Sequence, residues 1–180
     1  MLVNSFSIDG ILEFIPNSYQ DSRGFFYETF NLSKYKDCLP QGTQFVQDNL
    51  SYSKKGVIRG LHLQLNSPQG KLVYVLSGEV LDIAIDLRPE SLTFGKFVSI
   101  KISSNKRNQL WIPKGFAHGF QCLSDEAIFC YKCTDFYNPS DELTILYNDS
   151  DLNINWEAIT PIISEKDLAG LTLKEFINKI

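Results

Sequence analysis

The chain has 180 residues, a formal net charge of −4 and a pI near 5.2, a balance that excludes a broad basic face for nucleic acid. With 43% hydrophobic and 13% aromatic residues it is long enough to bury one core, and no shift in composition marks a second, so a single domain over residues 1–180 is expected. No stretch approaches the ~20 uninterrupted apolar residues of a membrane span, and the start MLVNSFSIDG carries neither a basic region nor a long apolar run, so a cytoplasmic protein with reduced cysteines and no membrane partner is expected.

Residues 1–30 read as short strands, ILEFIP and GFFYETF, separated by a polar turn, NSYQDSRG, in which Asp21 to Gly24 is the turn signal. On these residues alone Arg23 is a solvated loop charge and Glu28 a solvent-facing strand residue. The run Asn31 to Leu39 predicts a short helix capped by Asn31 or Ser33 and stopped by Pro40. In TQFVQDNLSYS the alternation places Gln47 and Asn49 on one strand face, with Val46 and Asp48 on the other. Amides so placed can hold the edge of a sugar or pyrimidine, although an exposed polar face is the commoner cause of the pattern.

The stretch from Gly56 to Leu87 holds one of the two histidines and the most strand-like sequence in the chain. Arg59 and His62 have opposite parity, so both enter one cavity only if the backbone bends between them, and Gly60 is the residue that permits a bulge. KLVYVL and EVLDIAIDL, joined at Ser77-Gly78, read as an antiparallel hairpin with Lys71, Val73 and Val75 on one face. In the return strand Asp82, Ala84 and Asp86 share a face that meets either water or a polar cavity. Residues 88–110 read as turn, amphipathic strand and turn.

In LWIPKGFAHGF, Pro113 and Gly115 break the strand, and His118 stands between Ala117 and Gly119, which lets a ligand approach closely. Cys130 and Cys133 form a CxxC, but three residues apart on a strand they face opposite ways and no second pair exists, so a zinc or redox role is not expected. Phe129, Tyr131 and Cys133 share one face. Ser164-x-x-Asp167 is a helix start, and Thr172-x-x-Glu175 opens a last helix with an apolar stripe of Leu173, Phe176, Ile177 and Ile180. Strands at this spacing, with Gly and Pro turns between them, predict an all-β antiparallel sandwich or barrel.

The segments RGLHLQ, GKLVYVLSGEVLDIAIDLR, LWIPKGFAHGF and YKCT resemble, in order and spacing, the RmlC family of dTDP-4-dehydrorhamnose 3,5-epimerases, over about Asp21 to Asp167. The resemblance implies a cupin-type jelly roll with short C-terminal helical segments. It also implies a homodimer whose N-terminal strands contribute to the neighbouring subunit, a site with no metal and no cofactor, and a dTDP-linked 4-keto-6-deoxyhexose as substrate. Many cupins bind metal through clustered histidines, but here only His62 and His118 exist.

By the same resemblance, Arg23, Glu28, Gln47, Asp48 and Asn49 bind the nucleotide, Arg59 and His118 contact the diphosphate or sugar, Tyr137 stacks on the base, and Glu142 and Lys166 bind substrate. His62 paired with Asp167 is the base, Tyr131 the acid and Lys71 the cation facing the enolate oxygen. Epimerisation beside a C4 ketone needs this set: a base for a weakly acidic C–H, a charge for the enolate, and an acid on the opposite face. Free imidazole titrates near ~6.5 and a phenol near ~10, values that suit these roles at neutral pH. Two departures stand out. Tyr74 occupies a position where relatives often carry a basic residue, and Glu157 follows Trp156 where a proline is usual. Epimerisation of a single carbon of another 4-keto sugar nucleotide, or sugar-nucleotide binding without catalysis, are the alternatives; the intact His62, Lys71, Tyr131 and Asp167 set argues against the second.

Overall fold

The computed structural model describes residues 1–180. In chain order its strands are β1 (Leu2–Ser5), β2 (Leu12–Ile15), β3 (Ser18–Asp21), β4 (Gly24–Tyr27), β5 (Gln47–Lys54), β6 (Ile58–Gln64), β7 (Lys71–Ser77), β8 (Glu79–Asp86), β9 (Phe97–Ser103), β10 (Gln109–Ile112), β11 (Phe116–Cys122), β12 (Glu126–Cys133) and β13 (Glu142–Thr144). Three short helices, α1 (Leu32–Tyr35), α2 (Glu165–Leu168) and α3 (Leu173–Ile177), complete the elements. A six-stranded sheet in the order β1-β2-β10-β7-β12-β5 faces a five-stranded sheet in the order β13-β6-β11-β8-β9, and β3 pairs with β4 in a separate hairpin. All strand pairs are antiparallel. This is the antiparallel sandwich that the strand pattern predicts, in the cupin-type jelly-roll form that the family resemblance implies.

Side-chain alternation sorts the apolar residues into layers. Between the sheets, Val73, Val75 and Phe129 of the first pack with Ala84, Phe116 and Phe120 of the second. The odd-numbered positions of β8, Leu81, Ile83 and Ile85, point outward and are covered by Ile145, Leu152, Ile154 and Phe176 of the C-terminal segment. The outer face of the six-stranded sheet, with Phe14, Leu72 and Trp111, is covered by Tyr35 and Leu39 around α1. Asn31 caps α1 by accepting the Ser33 N–H, and Thr172 with Glu175 forms the full capping box of α3.

The β7–β8 hairpin turns at Gly78 with φ +85°, where a Cβ would sit 2.3 Å from the Glu126 carbonyl oxygen, so only glycine serves there. Two local expectations change, and one strand is unforeseen. Ser18 to Asp21, expected as part of a polar turn, is a strand that pairs with β4, which narrows the turn to Asp21–Gly24. Leu2–Ser5 adds an edge strand to β2 despite full exposure, because pairing alone satisfies its backbone. On α3 only Phe176 of the apolar stripe is buried, while Ile177 and Ile180 stay about half exposed.

Candidate active site

The site begins with a bulge. Opposite β11, His118 pairs with His62 but Phe120 pairs with Arg59, so β6 spends one extra residue between those positions. Gly60, at φ +97°, absorbs it, and a Cβ there would lie 2.5 Å from the His118 carbonyl oxygen. The bend gives Arg59 and His62, of opposite parity, access to one cavity between the sheets, of about 530 Å³. Lys71, His118, Tyr131, Lys166 and Asp167 line the same cavity.

His62 is held by Asp167, with Nε2 2.6 Å from Oδ1. The other carboxylate oxygen of Asp167 accepts the Gly60 N–H at 3.2 Å, and Ser164 Oγ accepts the Asp167 N–H at 3.1 Å. Burial works to raise the Asp167 pKa, but the hydrogen bonds from His62, Gly60 and Ser164 outweigh it and hold the carboxyl below its ordinary value. A carboxylate accepts only, so Nε2 carries the proton and the Nδ1 lone pair is left free. Glu142 Oε1 lies 3.8 Å from Nδ1, too far for a hydrogen bond, and Glu142 is bound by the Lys166 ammonium and by Tyr137 OH at 3.1 Å.

The six-stranded sheet supplies the opposite wall. Its register aligns Gln47, Cys133 and Lys71 in one row across β5, β12 and β7, and Asn49, Tyr131 and Val73 in the next. Lys71 is buried, which pushes its ammonium pKa down, while Cys133, Glu142 and Asp82 push it back. Burial raises the Tyr131 phenol above its usual value, so it stays protonated across the neutral range. Gln47 accepts the Tyr137 N–H at 2.9 Å and donates to Asn49 at 2.9 Å, and Asn49 reaches Cys133 Sγ at 3.6 Å. Arg59 is steadied by Ser53 Oγ and the Tyr52 carbonyl, both at 2.9 Å. His118 Nε2 lies 2.9 Å from Asp82 Oδ2.

Seven expected site residues do not line the cavity: Gln47, Asn49, Tyr137 and Glu142 form a bonded chain that reaches it at Lys166, and three stand elsewhere. Asp48 is on the outer face of β5, paired with Lys132 at 2.8 Å. Arg23, with 88% of its side chain exposed, is paired with Asp21 at the tip of the β3–β4 hairpin, and Glu28 binds Lys34 and Asn31 beyond it. None of the three lines the cavity. Two further residues, to which the sequence assigned no role, belong to the site. Asp82 holds His118, and Ser51, whose Oγ is buried without a partner, lines the wall. Only part of the signal for Asp82 is present in the sequence: alternation puts Asp82 and Ala84 on one face, and the β8–β11 register, which pairs Ala84 with His118, supplies the rest. Cys130 and Cys133 are free and buried, and no three His, Cys, Asp or Glu side chains converge as metal ligands.

Residues 5–175 match the family model described as dTDP-4-dehydrorhamnose 3,5-epimerase. A relative from Shigella flexneri named dTDP-4-dehydrorhamnose 3,5-epimerase is 49% identical over 91% of this chain and 91% of its own. The crystal structure of dTDP-6-deoxy-D-glucose-3,5-epimerase RmlC from Legionella pneumophila Philadelphia 1, in complex with dTDP-4-keto-L-rhamnose, superposes with a TM-score of 0.94 at 48% identity, over 96% of this chain and 93% of that one. A more distant relative from Streptomyces niveus, named dTDP-4-dehydrorhamnose 3-epimerase, is 32% identical over 97% of this chain and 85% of its own. The chain belongs to the dTDP-4-dehydrorhamnose 3,5-epimerase family and is an isomerase of that kind.

Proposed function

We propose that this member of the family inverts C3 and C5 of dTDP-4-dehydro-6-deoxy-D-glucose to give dTDP-4-dehydro-L-rhamnose, with His62 as base and Tyr131 as acid. The observation that carries the reading is the placement of proton-handling groups on facing sheets. His62, fixed by Asp167 at 2.6 Å, stands on β6, Tyr131 stands on β12, and Lys71 lines the same cavity. The free Nδ1 of His62 takes the proton beside the C4 ketone. The Lys71 ammonium meets the negative charge that develops on the carbonyl oxygen. Tyr131 returns a proton from the opposite face, and the same pair serves C3 and C5 in turn as the ring shifts. Arg59 and His118 hold the diphosphate or sugar; Gln47, Asn49 and Tyr137 hold the nucleotide, with Glu142 and Lys166 at the rim.

Arg23 and Glu28 are assigned to the nucleotide of a neighbouring subunit in a homodimer. The reading is supported by the absence of both from the lining of this cavity and by the β3–β4 hairpin, whose Phe25 and Phe26 are 57% and 65% exposed. A large exposed aromatic pair on a hairpin is the mark of a surface that another chain covers. We further read the protein as cytoplasmic, working without metal or cofactor.

The test is Tyr131→Phe, assayed by NMR of the 4-keto sugar nucleotide in D2O. Proton abstraction survives, so deuterium washes in with configuration retained, while epimerised product falls by roughly 10²-fold or more, the scale for a lost general acid. Near-normal inversion removes Tyr131 from the mechanism. In the wild type, deuterium at one carbon alone replaces the double epimerisation with the single one for which the Streptomyces niveus relative is named.

A further inference from the structure

We propose that Asp82 is a positioning residue for the reaction: it is the buried negative charge against which Lys71 stays an ammonium ion while its N–H groups remain free for the substrate. The inference rests on the reading of Lys71 as the cation that meets the enolate oxygen. Asp82 on β8 is fully buried and Lys71 on β7 nearly so, at 0% and 9% exposure, each in its own sheet of the sandwich. An ion in such a place is costly unless another charge compensates it. One oxygen of Asp82 binds His118, and the other is buried with no hydrogen-bond partner. Lys71 makes no ion pair, in contrast to Lys34, Lys106, Lys132 and Lys166. An ammonium without an acceptor thus lines the cavity, and a carboxylate oxygen without a donor lies directly behind His118, which lines it too.

The other candidates for the counter-charge are spoken for. Around Lys71 stand Cys133 and Tyr131 on β12, Glu142 on β13, Arg59 and His62 on β6, His118 on β11, and Lys166 and Asp167 on α2. Burial raises both the Cys133 thiol and the Tyr131 phenol, so neither is an anion in the neutral range. Glu142 is matched by the Lys166 ammonium, a full cation at neutral pH, and both oxygens of Asp167 are already bonded, one to His62 and one to the Gly60 N–H. His118 carries charge only when protonated, and it engages one oxygen of Asp82 alone. Burial pushes the Lys71 pKa down, and Cys133, then Glu142, then Asp82 oppose it, of which Asp82 is the carboxylate with no cation paired to it. The lack of direct contact has a use. An ammonium bound to a carboxylate has its donors occupied, whereas one balanced at longer range can turn them to a developing oxyanion.

The experiment tracks the Lys71 ammonium in lysine-labelled protein by NMR, assigned with Lys71→Met, and measures the alkaline limb of the exchange rate in parallel. Asp82→Asn keeps the shape of the side chain and removes its charge, so the Lys71 midpoint should fall by at least about one pH unit, a tenfold loss of proton affinity. The alkaline limb should move to lower pH with it. An unmoved Lys71 midpoint overturns the role of Asp82 and leaves Lys71 in the mechanism. A moved midpoint with an unmoved limb removes Lys71 from the rate-determining chemistry, and the positioning role falls with it. Should Asp82→Asn not fold, Glu142→Gln decides. A small displacement of Lys71 supports Asp82, and a displacement of a unit or more assigns the counter-charge to Glu142.

Discussion

Asp167→Asn changes one atom of the proposed base pair, and the surrounding hydrogen bonds determine its effect. The carboxylate accepts twice, from His62 Nε2 at 2.6 Å and from the Gly60 N–H at 3.2 Å. An amide accepts with one atom and donates with the other, so Asn has two arrangements. If its oxygen faces His62, its NH2 opposes the Gly60 N–H, and a buried backbone donor left unsatisfied costs about 1–3 kcal/mol. If its oxygen faces Gly60, its NH2 donates to Nε2, every bond is satisfied, and the imidazole proton moves to Nδ1. The second arrangement is the more stable, and it removes the lone pair from the atom proposed to take the substrate proton.

A buried Asp→Asn that enforces the wrong tautomer of a catalytic histidine lowers kcat by about 10⁴ in serine proteases. A loss of about 10³-fold or more is therefore expected here, or about 4 kcal/mol of transition-state stabilisation. Deuterium incorporation in D2O, scored at C3 and C5 separately, measures it, and dTDP binding by calorimetry should change only a few-fold because Asp167 faces His62 and not the nucleotide. Retention of a tenth or more of the wild-type exchange rate would refute the tautomer argument.

Gly60→Ala should cost at least about 2 kcal/mol in urea unfolding, because the new Cβ meets backbone at 2.5 Å and 2.8 Å in a left-handed conformation; a change within about 0.5 kcal/mol would mean that the bulge is not fixed. Asp86 is buried, and although burial opposes its charge, the bonds from Arg88, Ser91 and Thr93 hold its pKa at about 2, against an ordinary 3.8. Its stabilisation is therefore complete above the unfolded value and lost as pH falls toward 2, so Asp86→Asn should cost about 2 kcal/mol at pH 7. The gap to wild type should shrink between pH 4 and 2, and a gap that is constant with pH refutes the linkage. Exhaustive chelation should leave epimerase activity unchanged, whereas loss restored by one specific metal would overturn the metal-free reading.

The strands and the parity of their side chains are legible in the sequence because both come from a period of two. The opposite parity of Arg59 and His62 around Gly60 calls for a bulge, and the β6–β11 register has one. Parity also sets Gln47 and Asn49 apart from Asp48, which points away from the cavity. Which strands face each other across the sandwich is a long-range matter that no local pattern carries. The meeting of Asp167 with His62 across 105 positions is visible only through the family motif. Asp82 reads as facing either water or a polar cavity, because alternation names the face and not what lies beyond it. The NSYQ segment misleads for a related reason: polar residues suit a turn, but they also suit a hairpin exposed on both faces, and β3 is exposed throughout.

The division of labour between the sheets bears on why this fold suits inversion. Retention needs one group on one face of the enolate, whereas inversion needs two groups fixed on opposite faces, with a carbon held between them. A sandwich supplies that frame, because side chains on the inner faces of two packed sheets point at each other across about 10 Å. His62 is braced by β11 on one side of β6 and β13 on the other, with Asp167 of α2 bonded to its ring, and Tyr131 lies on β12 between β5 and β7. Neither group rides on a mobile loop, so on the proposed mechanism the ring, and not the protein, must move to present C3 and then C5. The distinction between single and double epimerisation then lies in how freely the bound sugar turns within a cavity of about 530 Å³, and not in the identity of the acid and base. Substitutions that narrow the cavity near Ser51, such as Ser51→Val, should therefore suppress exchange at one carbon more than at the other. Equal loss at both carbons would return the control of the second inversion to His62 and Tyr131.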